Sequence, residues 1–113
     1  MIELDFDKPL VLIDDEPLVK MVWELSAEEK GISLTVYQRY EDFKKSAEEH
    51  SKETQILIDS NLGREGKGED KISEILSLGF SKVWMCTSAD LDEFDKYPGL
   101  SGAIDKTPPW EGF

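Results

Sequence analysis

Three acids, a hydroxyl and a lysine stand where short apolar runs end. Asp14 and Asp15 follow "LVLI" (10–13), Asp59 follows "QILI" (55–58), Thr87 follows "KVWMC" (82–86), and Lys106 comes two residues after "GAI" (102–104). Carboxylates gathered in a small space repel one another, so they persist ionised only beside a divalent cation or a lysine. An oxygen-only ligand set without His or Cys suits a hard cation, and Mg2+ takes one or two carboxylates while keeping several waters. The chemistry such a set serves is phosphoryl transfer onto a carboxylate. Asp59 would attack, the cation and Lys106 would neutralise the phosphoryl oxygens, and the Thr87 hydroxyl would bond one of them. Ser88 competes with Thr87 for that hydroxyl role.

For these groups to meet, the apolar runs must lie side by side and end at one edge. Several runs, with "LTVY" (34–37) the fifth, are continuous rather than alternating, as expected of strands covered on both faces in a parallel sheet. Helical periodicity fills the intervals. The first helix carries Leu18, Met21, Val22 and Leu25 at i, i+3, i+4, i+7, with Pro17 in its first turn and Gly31 as its stop. A second, "YEDFKKSAEEHS", is weaker and more exposed. A third, "EDKISEILSLG", ends at Gly79, and a short fourth, "ADLDEFDKYPG", ends at Pro98-Gly99.

The alternation predicts an α/β, flavodoxin-like open parallel sheet of five strands in the order 2-1-3-4-5, flanked by helices. A closing fifth helix is not expected, because Pro108-Pro109 cannot continue one. In such a sheet ligands bind outside the carboxyl ends of the strands where the strand order reverses, here between strands one and three. The apolar stems are then the buried sheet, and Asp14, Asp15 and Asp59 are delivered to one crevice.

Composition bounds the partners. The 113 residues suit one domain spanning 1–113, and a formal net charge of −12 disfavours direct nucleic-acid binding. No stretch approaches the roughly 20 apolar residues of a membrane helix, and "MIELDFDKP" lacks the pattern of a secretory signal, so the expected location is cytoplasmic without membrane insertion. The lone Cys86, inside an apolar run, reads as a buried filler. His50, in a polar acidic helix, reads as solvated. "GREGKGED" follows a strand but lacks the Gly-Lys-Ser/Thr ending of a phosphate loop, so it reads as a loop beside the site. Trp110 is expected to cover sheet edge left open by the missing helix.

The motifs "LVLIDDE", "ILIDSNLG", "VWMCTSA" and "AIDKTPP", in this order and spacing, resemble the receiver domain of two-component response regulators, over about 9–109. The resemblance implies a phosphorelay domain, stand-alone or at the C-terminal end of a hybrid histidine kinase, phosphorylated by a sensor histidine kinase or phosphotransfer protein and signalling by conformational change. It implies Asp59 as phosphoacceptor, Thr87 and Lys106 as the hydroxyl and lysine that sense the phosphoryl group, and Mg2+ as cofactor. The metal set would be Asp15 directly, Asp14 largely through water, Asp59 and the backbone carbonyl of Asn61. Such a domain acts in its own phosphorylation and dephosphorylation but turns over no separate substrate, so it is not an enzyme in the ordinary sense. Two departures stand out: Thr107 separates Lys106 from Pro108, and Ala103 occupies a position where receivers often carry an aromatic ring. The alternatives are a degenerate receiver serving as an unphosphorylated interaction module, and a phosphatase or phosphotransferase with an Asp nucleophile. Enzymes of that last kind usually carry a second acid two residues after the nucleophile, where Asn61 stands.

Overall fold

Strands form where the apolar runs are. In a computed structural model, which describes residues 4–87 and 99–112, five strands appear: β1 (Leu10–Ile13), β2 (Leu34–Tyr37), β3 (Gln55–Ile58), β4 (Val83–Cys86) and β5 (Gly102–Ile104). All pairings are parallel, and the order is β2-β1-β3-β4-β5. Every residue of β1, β3 and β4 is buried. Unbroken apolar sequence is the consequence of covering both faces.

Three α-helices are described: α1 (Pro17–Lys30), α2 (Tyr40–Ser46) and α3 (Ile72–Ser77). Alternate strand residues face opposite layers. Val11, Ile13, Ile56, Ile58, Val83 and Met85 pack with Tyr40 and Phe43 of α2, Ile72 and Ile75 of α3, and Phe80. Leu10, Leu12, Leu57, Trp84, Cys86 and Ile104 pack with Trp23 and Ala27 of α1 and with Trp110. Ser88 and most of the expected fourth helix, residues 89–98, lie outside the described residues.

The segment after β5 carries only a 3-10 turn, Pro109–Gly112. Trp110 is buried there, edge-on to Trp23 with centroids 5.3 Å apart, and its Nε1 donates to Ser26 Oγ at 2.8 Å. The ring therefore packs into the core on the α1 side of the sheet, where the expectation was cover for its open edge.

The structure corrects two expectations. Leu18, Met21, Val22 and Leu25 do not face the core; they are 65%, 51%, 44% and 61% exposed. Helix α1 instead buries Trp23, Ser26 and Ala27, with Val19 packed beside them. Trp23 decides the rotation: it is the larger apolar group, and its Nε1 finds a partner, the Lys106 carbonyl, at 2.9 Å. His50 is not simply solvated. It follows the 3-10 turn Ala47–Glu49, lies 2.7 Å from Tyr37 Oη, and stacks on Phe43 at 23°.

Candidate metal and phosphoryl site

Strand register places the acids. Ile13 pairs with Ile58 across β1 and β3, so Asp14 and Asp59 leave the sheet at the same level. Met85 pairs with Ile58, and Cys86 with Ile104, which brings Thr87 and the loop bearing Lys106 to the same edge. One carboxylate oxygen from each of Asp14, Asp15 and Asp59 lies within 4.8 Å of the others. Asp14 and Asp59 are buried, and Asp15 is more open to solvent.

Asp14 divides its two oxygens. Oδ1 accepts from the Glu16 N–H at 3.0 Å, turning the chain into α1. Oδ2 pairs with Lys106 Nζ at 3.0 Å and has no other donor among the described residues. The same Nζ donates to Asp59 Oδ2 at 3.0 Å. Burial pushes the Asp59 carboxyl above its ordinary range, and the neighbouring Asp14 charge adds to this; the Lys106 ammonium and the Asn61 N–H oppose it. Burial alone would lower the lysine, yet bonding to Asp59 and Asp14 outweighs burial and raises it. Lys106 is therefore a permanent cation at neutral pH.

The lysine is held at its backbone. Trp23 Nε1 grips the Lys106 carbonyl, and the Thr107 N–H donates to Asp105 Oδ1 at 2.9 Å in an Asx turn. Among the described residues no peptide bond is cis, so the loop after β5 is set by this turn and by the indole bond. Thr87 is buried, and its Oγ1 lies 2.9 Å from Ser60 Oγ.

The glycine-rich segment after β3 folds back on the site rather than leaving it. Asn61 forms an antiparallel bridge with Lys67, flanked by Leu62 N–H to Gly66 O at 2.9 Å and Gly68 N–H to Ser60 O at 3.0 Å. Gly68 is required: a Cβ there would collide with the Asp59 carbonyl oxygen. Gly63 has φ of 62°, and a Cβ on it would lie 2.8 Å from Asp15 Oδ2. These flanking bonds use the carbonyls of Ser60 and Gly66. The Asn61 carbonyl accepts none of the hydrogen bonds among the described residues.

The donor set fits a hard divalent cation. Oxygens on one octahedral Mg2+ stand about 3 Å apart when adjacent and about 4.2 Å when opposite, so three oxygens within 4.8 Å of one another would draw together to hold the ion. Among the described residues Lys106 alone faces Asp14 Oδ2, so the oxygen has lone-pair positions left for a cation.

Sequence reasoning brought together Asp14, Asp15, Asp59, Thr87 and Lys106, and the structure places all five at this edge. It missed Ser60, whose hydroxyl partners Thr87, and Glu65, whose carboxylate accepts from the Tyr40 N–H at 2.6 Å and the Glu41 N–H at 3.0 Å. Ser60 was visible as a polar neighbour of Asp59. Glu65 carries no sequence signal, because it caps a helix that starts 25 residues before it. A scan against protein-family models finds no match, and a search of the curated proteins finds none either.

Proposed function

We propose that this chain is a receiver-like phosphoacceptor in which Asp59 accepts a phosphoryl group from a partner histidine kinase or phosphotransfer protein. The observation that carries the reading is Lys106 Nζ placed 3.0 Å from both Asp59 and Asp14, with Asp15 completing an acidic cluster at the strand crossover. Burial raises the Asp59 carboxyl, while the ammonium and the Asn61 N–H act against burial and favour the ionised form that serves as nucleophile. An Asp59 oxygen bonds phosphorus as the donor's P–N bond to histidine breaks and the imidazole leaves; in the resulting acyl phosphate the same ammonium is within reach to neutralise a phosphoryl oxygen. The Thr87 hydroxyl, now shared with Ser60, is the group that exchanges partner on phosphorylation. A Mg2+ ion would be held by Asp14, Asp15, Asp59 and the Asn61 carbonyl, and would supply the remaining charge neutralisation.

A second reading, an interaction module that is never phosphorylated, has one observation in its favour: the exposed apolar stripe Leu18, Met21, Val22 and Leu25 on α1. One experiment separates the two. The protein is incubated with Mg2+ and phosphoramidate, then weighed intact. A gain of about 80 Da, one phosphoryl group, that disappears in Asp59→Asn supports the phosphoacceptor. No gain in the wild type favours the interaction module, and steady release of phosphate without an adduct favours an enzyme.

A further inference from the structure

Two arginines are present in the whole chain, Arg39 and Arg64, against 25 acids. They are 25 residues apart, one at the start of α2 and one in the loop after Asp59. Both line the same cavity, of about 290 Å3, together with Asp15, Gln38, Leu62 and Glu65. Through Asp15 this cavity adjoins the carboxylate cluster.

Neither guanidinium has a carboxylate within ion-pair distance among the described residues. Lys8, Lys20, Lys44 and Lys106 do, whereas the other described lysines, like the arginines, do not. Even Glu65, on the cavity wall, has both oxygens turned to the Tyr40 and Glu41 N–H groups. What sets the two arginines apart is their place: in a chain of net charge −12 both line one cavity beside the carboxylate cluster. A guanidinium presents parallel N–H donors that match phosphate and carboxylate oxygens in pairs, which a lysine cannot do. Leu62, buried beneath the cavity, supplies an apolar floor.

We propose that Arg39 and Arg64 form an oxyanion-binding subsite at the mouth of the carboxylate cluster, one that takes a phosphate group carried by a small molecule. The formal charges on the cavity wall, Arg39 and Arg64 against Asp15 and Glu65, cancel. A divalent cation on Asp15 tips the balance positive, so anion and cation strengthen each other by the same factor. For its role the inference rests on the phosphoacceptor reading, as the place where a small phosphoryl donor is captured; its geometry does not depend on it.

The test is an amide NMR titration of the labelled protein with inorganic phosphate, at constant ionic strength, with and without Mg2+. Saturable shifts are expected at Gln38, Arg39, Leu62 and Arg64, stronger with Mg2+ and retained in Asp59→Asn. In the Arg39→Gln/Arg64→Gln double variant the affinity should fall roughly tenfold or more, the scale of losing charge-assisted bonds, with the melting temperature unchanged. Equal affinity in the double variant, no saturable shift in the wild type, or shifts confined to Asp59 and Lys106 would each overturn the subsite. The intact-mass assay keeps the two claims apart. An 80 Da adduct without phosphate binding at the arginines sinks the subsite alone, whereas phosphate binding without any adduct sinks the phosphoacceptor reading and leaves the subsite standing.

Discussion

At the N-terminal end of β3, Gln55 is 1% exposed, and its amide is fully engaged: Oε1 accepts from the Asp5 N–H at 2.6 Å and Nε2 donates to the Asp5 carbonyl at 2.8 Å. Four residues on, at the other end of the same strand, Asp59 is buried almost as deeply, at 3%, but must share one ammonium with Asp14. Equal burial thus meets opposite degrees of satisfaction. The first end ties the entering chain to the sheet and leaves no polar atom of that amide wanting. The second leaves two formal negative charges, three carboxylates against one lysine, where the strand order reverses. Free energy withheld at that end is what a divalent cation can recover.

The largest effect is expected at the lysine. Lys106→Met leaves Asp14 and Asp59 buried beside each other without a cation, and breaking a buried pair by removing one partner is worth about 3 kcal/mol or more. Denaturant unfolding at neutral pH should show that loss, and added Mg2+ should restore more stability in this variant than it adds to the wild type. A loss below about 1 kcal/mol, within the range of an exposed pair, would mean that the contrast between the two ends is not electrostatic. Next comes Gln55→Leu, which orphans the Asp5 N–H and takes from the Asp5 carbonyl one of its two donors, leaving it the Lys8 N–H. It should destabilise by about 2 kcal/mol while leaving the 80 Da adduct intact. If adduct formation fell together with stability, the two ends would not be independent.

Much of this contrast was legible in the sequence. All five strands lie within one residue of the apolar runs, and the order 2-1-3-4-5 follows from helices between parallel strands. Asp14, Asp15, Asp59, Thr87 and Lys106 were legible because a strand end fixes where its next residue goes. The face of α1 was not. Leu18, Met21, Val22 and Leu25 match a helical stripe as well as the buried set does. What separates them is the pairing of Trp23 with the Lys106 carbonyl and of Ser26 with Trp110, contacts spanning more than 80 residues. The brace by Glu65 and the placing of Arg39 and Arg64 on one cavity were hidden for the same reason: loop side chains carry no period.

Asp59→Asn tests the unsatisfied end with a smaller change. The wild-type carboxyl is raised by burial above its ordinary 3.8, so the folded protein holds a proton there at pH values where the unfolded chain has released it. Stability from this group therefore falls as pH rises from about 3.8 through the raised folded value, and the deficit persists at neutral pH. The neutral isostere avoids it. Asp59→Asn should be more stable than the wild type at pH 7 by about 1 kcal/mol, the usual scale of a single substitution, and the gap should close as pH falls below 3.8. Melting curves from acid to neutral pH check this, and a gap that widens in acid would reverse the assignment of strain to Asp59.

The smallest effect sharpens the comparison most. Order at the N-terminal end comes from Gln55 itself, on the strand, whereas at the other end it comes from braces in the loop after β3. Glu65 is one of these: from that loop it accepts the Tyr40 and Glu41 N–H groups and caps α2, whose own flanking residue Arg39 makes no side-chain cap. Glu65→Ala should cost about 0.5 kcal/mol, the low end for a lost helix cap, too little to change the fold. Hydrogen exchange resolves it locally. The Tyr40 and Glu41 amides should exchange faster, the Gly68 amide that bonds Ser60 O should follow as the loop loosens, and the Asp5 amide held by Gln55 should not change. Speeding at Asp5 as well would show that the two ends of β3 open together, and the difference between them would then be one of chemistry without any difference in local stability.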